Sequence, residues 1–137
     1  MLEVPMYRVN GTRAQLADLL AKVPVNSWVW SVIEFDGAGQ MPSNYSTLEF
    51  QKKIREQPHG LVLTWSEILT FSETIEYTID CLIVAVSSID KLEVDKLLAD
   101  DFQECEVALR AIDSTEWILF SSSQTLLNKL EEAALQS

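Results

Sequence analysis

Six consecutive apolar residues, Cys81-Leu82-Ile83-Val84-Ala85-Val86, limit what this chain can fold into more than any other feature. A strand solvated on one side alternates apolar with polar residues, whereas an unbroken run belongs to a strand covered on both faces. The run is far too short to cross a bilayer. It predicts the longest strand, from Glu76 to Val86, in the middle of a sheet with other elements lying over it.

The flanking sequence supplies those elements. Val4 to Val9 reads as a first strand, followed by an Asn10-Gly11 turn and a helix from Arg13 to Lys22, with Thr12 and Gln15 as a capping box and Pro24 as the stop. Trp28 to Phe35, dense in β-branched and aromatic residues, predicts a buried strand closed by a turn at Asp36-Gly37-Ala38-Gly39. Ser46 with Glu49 opens a helix running to about Glu56. Leu61 to Leu63 make a short strand, and Thr64 with Glu67 opens a helix from Trp65 to about Ser72. Asp90 to Phe102 has helical spacing. Glu104 to Ile112 and Glu116 to Ser121 alternate as a β-hairpin around Asp113-Ser114-Thr115, and Ser123 to Leu135 is an amphipathic helix. The expected fold is a single α+β domain, residues 1–137, with a mixed or antiparallel sheet of about six strands and helices packed on it.

Length agrees, since 137 residues bury one core. The N-terminus has neither a basic region nor a long apolar stretch, so no signal peptide is read and a cytoplasmic location is expected. Cys81 and Cys105 lie in apolar segments without short spacing or companion histidines, and read as reduced core residues.

Catalytic and metal-binding signatures are missing from the sequence. His59, the only histidine, follows Pro58 at a helix-to-strand corner and reads as a loop residue. No serine lies in Gly-x-Ser-x-Gly, and Asp36 to Gly39 lacks the third glycine and the Lys-Ser/Thr of a phosphate loop. The carboxylates near residue 100 lack EF-hand spacing. The expectation is a protein that is not an enzyme, with no catalytic residues, no metal and no cofactor. Trp28 and Trp30 share a strand face and read as core or helix-covered positions.

Charge is what remains. The net charge is −11; residues 1–69 hold seven acids against six bases, and residues 70–137 hold fourteen against four. Such a surface repels nucleic acid and complements a basic protein. Within residues 73–116, twelve acids stand against three bases, interleaved with ordered elements. The candidate partner-binding residues are Asp90, Glu93, Asp95, Asp100, Asp101, Glu104 and Glu106. The bland alternative is a merely solubilising face.

Trp28-Val29-Trp30 leading to Ile33-Glu34-Phe35-Asp36-Gly37, the helix with Leu48-Glu49-Phe50, Gly60 to Glu67, and Asp113 to Trp117 before the last helix cover much of the chain. In these segments it resembles the small acidic bacterial immunity proteins, which neutralise toxin domains delivered by competing cells. The resemblance implies a non-enzymatic inhibitor of a basic toxin domain, for instance a nuclease. It transfers no contact residue, because contacts in such proteins vary with the toxin. Two other classes stay open: an interaction subunit using an apolar face, with Trp28, Trp30 or the last helix as anchors, and a small-molecule-binding domain with a pocket between sheet and helices.

Overall fold

A computed structural model of the chain describes residues 1–136. The elements in chain order are β1 (Leu2–Pro5), α1 (Leu16–Leu20), β2 (Val29–Gly39), α2 (Thr47–Arg55), β3 (Leu61–Leu63), α3 (Trp65–Thr74), β4 (Ile75–Val86), α4 (Val94–Leu98), β5 (Val107–Ile112), β6 (Glu116–Ser121) and α5 (Gln124–Leu135). The six strands form one antiparallel sheet in the order β1-β6-β5-β4-β2-β3, which makes the domain α+β.

The apolar run sits where its composition requires. Along β4, Cys81, Ile83 and Ala85 point into a large core, and Leu82, Val84 and Val86 point into a smaller one on the opposite face. The large core receives Leu16 and Leu19 from α1, Phe50 and Ile54 from α2, Ile68 and Phe71 from α3, and Leu126 and Leu130 from α5. The opposite face is covered by the connection between β4 and β5, residues 87–106, which inserts Leu92, Leu97, Phe102 and Cys105. We call this connection the lid.

Two capping boxes form as read. Ser46 Oγ accepts from the Glu49 N–H at 3.2 Å, and Thr64 Oγ1 accepts from the Glu67 N–H at 3.2 Å. Each glutamate returns the bond to the cap residue's own N–H. The third box does not form. The Thr12 N–H and hydroxyl both donate to Asn10 Oδ1, and the backbones of Met6 and Arg8 pair with Ala14 and Thr12. Residues 6–14 are thereby a narrow loop, β1 stops at Pro5, and α1 starts only after Gln15, whose N–H donates to Asp18 Oδ2 at 2.9 Å.

Asp36 to Gly39 is strand and not a turn: β2 runs on to Gly39 against β4 through three register shifts. The glycines serve close approach, since a Cβ at Gly37 would collide with the Tyr77 carbonyl oxygen and one at Gly39 with that of Thr74. The expected helix from Asp90 to Phe102 shrinks to Val94–Leu98, with a 3₁₀ turn at Ile89–Lys91 before it. Leu92, Leu97 and Phe102 are five residues apart, and at 3.6 residues per turn one helix would rotate each about 140° from the last. Breaking the helix lets all three face the sheet.

Both large buried indoles are hydrogen-bonded. Trp30 Nε1 donates to Asn26 Oδ1 at 3.0 Å and Trp117 Nε1 to the Ala14 carbonyl at 2.9 Å. Arg8, its side chain only 8% exposed, donates from Nη2 to Asp18 and to the Ala133 carbonyl in the last turn of α5.

Candidate functional site

The lid is a two-sided segment. Its inner side is apolar and buried; its outer side carries Asp90, Glu93, Asp95, Asp101 and Glu104, all exposed, with Asp100 and Glu106 half-buried. Short hydrogen-bonded turns set this arrangement. Leu97 N–H donates to the Glu93 carbonyl, Asp101 N–H to that of Lys96, and Cys105 N–H to that of Phe102. Asp100 takes the left-handed conformation, φ 62°, that reverses the chain after α4. At the far end Glu106 joins the sheet, its N–H donating to the Ala85 carbonyl at 2.8 Å. His59, half-buried just before β3, places Nδ1 3.2 Å from the Leu92 carbonyl and ties the lid to that edge.

The seven candidate carboxylates are on one segment, yet they are not equivalent. Glu93 pairs with Lys96 at 3.2 Å and Glu104 with Lys91 at 4.0 Å. Asp100 Oδ1 lies 2.7 Å from Arg110 Nε, an ion pair without hydrogen-bond alignment. Asp90, Asp95, Asp101 and Glu106 form no ion pair among the described residues. Asp90 accepts from the Ser88 hydroxyl, and this bond holds its carboxyl below the usual carboxylate range. Glu106 Oε2 accepts from Ser122 Oγ at 3.0 Å. The lid therefore offers carboxylates held by hydrogen bonds and others already sharing a cation.

Beside the lid, a cleft of about 290 Å³ opens between β2, α2 and the end of α4, with Ile33, Phe35, Ile54 and Leu98 as apolar walls. Its polar lining includes Glu34, Asp36, Asp80 and Arg55. β3 pairs with β2 only from Trp30 to Val32, so β2 beyond that point has no strand on its outer side. The sequence reading missed these residues. Asp36 was hidden because the sequence places it in a turn after a strand ending at Phe35, and its pairing with Asp80 depends on register, which no local signal carries.

Other candidate anchors are consumed by the core. Trp30 and Trp117 are fully buried; Trp28 is half-buried against Trp30, with ring centroids 6.3 Å apart. α5 turns Leu126, Leu130, Ala133 and Ala134 inward. Cys81 and Cys105 are free and buried, and burial pushes both thiols up to about 12. Among the described residues no group of three His, Cys, Asp or Glu side chains is placed to hold a metal ion, and no helix is long and apolar enough to cross a membrane. No protein-family model matches the sequence, and no curated protein or solved structure is significantly similar to it.

Proposed function

We propose that this chain is a non-enzymatic binding protein of the immunity kind, which neutralises a basic toxin domain, such as a nuclease, by covering it with the outer side of the lid. The observation that carries the reading is the division of the lid into an inner side pinned to the sheet by Leu92, Leu97, Phe102 and Cys105 and an outer side bearing seven carboxylates against Lys91 and Lys96. Carboxylates on a pinned segment present a fixed negative surface, which steers a cationic partner and adds little ordering cost on docking. Asp90, Asp95 and Asp101 make the first contacts, because no internal cation competes for them; Glu93, Asp100 and Glu104 would have to exchange partners.

The test asks whether the product of the neighbouring gene co-purifies with this chain at low and high salt, and follows association of any basic protein so captured by stopped flow. The expected result is binding that weakens steeply with salt, and association slowed by about tenfold in Asp90→Asn/Asp95→Asn/Asp101→Asn with dissociation little changed. An unchanged affinity in that triple variant would remove the lid as the docking face.

A further inference from the structure

We propose that the cleft between β2, α2 and α4 receives an arginine side chain of the partner, with its guanidinium between Asp36 and Asp80. This rests on the reading of the partner as basic, and adds a specific anchor to a diffuse charged face.

The inference comes from two neighbouring rows across the sheet. In the first row, Glu34 on β2, Leu82 on β4 and Arg110 on β5 lie side by side. Arg110 reaches over Leu82, donating from Nη1 to Glu34 Oε1 at 2.9 Å and from Nη2 to the Leu98 carbonyl at 3.2 Å. That row satisfies its carboxylate from within. In the next row Asp36 stands directly opposite Asp80, and the β5 ladder beyond Ala111 brings Ile112 where the first row has arginine. Like charges directly opposite in an antiparallel pair are destabilising. Among the described residues no base lies within ion-pair distance of either aspartate. One oxygen of Asp80 accepts from the Asp113 N–H at 2.9 Å.

The cleft suits a long cationic side chain. Its surface is mainly apolar, through Ile33, Phe35, Ile54 and Leu98, and its polar lining holds three carboxylates against one guanidinium, Arg55. An arginine buries its methylene stem on such walls and keeps its charge for the acidic end. Two carboxylates on adjacent strands are about 5 Å apart at their Cβ atoms; the planar fork of a guanidinium can give each a directed hydrogen bond from a different nitrogen and is more weakly hydrated than an ammonium, which favours arginine over lysine here. Arg110 already shows a guanidinium on the adjoining row.

The experiment titrates the whole chain, ¹⁵N-labelled, with oligoarginine, oligolysine and oligocitrulline of equal length. Saturable shifts at Ile33, Asp36, Asp80 and Leu98 with oligoarginine, weaker with oligolysine and absent with oligocitrulline, are expected. Asp36→Asn/Asp80→Asn should weaken them about tenfold or more. The same variant should unfold at a higher temperature, because a repulsion is removed, which separates lost binding from lost folding. Equal shifts with oligolysine would overturn the arginine assignment. Shifts confined to residues 90–96 and 101–106, with Ile33, Asp36, Asp80 and Leu98 unmoved, would overturn the cleft while leaving the lid as the docking face. Saturable shifts nowhere would count against both.

Discussion

At the residue scale, several positions are fixed by their backbones or their burial. Gly37→Ala places a methyl group against the Tyr77 carbonyl with no flexible side chain to give way. We predict a loss of about 2–4 kcal/mol in chemical denaturation, in the range of overpacked or strained sites. Cys81 gives a pH-dependent prediction. Burial raises its pKa from an ordinary 9.0 to about 12, so the unfolded chain releases this proton at lower pH than the folded one. The stabilisation is complete below pH 9.0 and is lost as pH rises towards about 12. Denaturation midpoints across that window should fall less steeply in Cys81→Ala, by one proton, than in the parent chain. Neither cysteine should react with alkylating reagents at neutral pH unless the protein unfolds.

At the element scale, the lid and the capped helices make separable contributions. Ser46→Ala removes one half of a reciprocal cap on α2 and should cost about 1 kcal/mol. Leu97→Ala opens a cavity under the lid and should cost about 2–4 kcal/mol. Hydrogen exchange in the Leu97 variant should quicken in residues 87–106 while amides of β4 and β5 stay protected; equal loss everywhere would show that lid and sheet open as one unit.

The order of elements was legible because its signals are local. Continuous apolar runs marked β4, reciprocal caps marked α2 and α3, and alternation marked the β5–β6 hairpin. What stayed hidden needed partners distant in sequence. Thr12 looked like a cap until Asn10 took its donors, and Asp36 to Gly39 looked like a turn because glycine at a close strand approach and glycine at a turn read alike. The seven carboxylates of the lid were legible as an acidic stretch, five of them exposed and two half-buried. Their pairing was not, because Arg110 reaches Asp100 from β5 and Glu34 from two strands away.

At the scale of the whole molecule, a charge of −11 on 137 residues sets the electrostatic background. Self-repulsion opposes compaction, and salt screens it within about 8 Å at physiological ionic strength. Adding salt should therefore raise Tm, by about 3 °C for a gain near 1 kcal/mol in a chain of this size. The same salt should weaken attachment of a basic partner, so stability and binding should move in opposite directions along one titration. A fall of Tm with salt would mean that self-repulsion does not limit the fold, and an affinity indifferent to salt would mean that the acidic surface does not carry the docking.

β4 and β5 are antiparallel neighbours, which a turn of two residues suffices to join. Residues 87–106 stand there instead. Their buried side chains answer to the sheet, and their outward ones are free of that obligation. Codons for Asp90, Asp95 or Asp101 can change without disturbing Leu92, Leu97 or Phe102. If the lid is the docking face proposed above, a lineage carrying this fold can change what it docks through a few substitutions in a single stretch of its gene, while the sheet beneath is inherited intact.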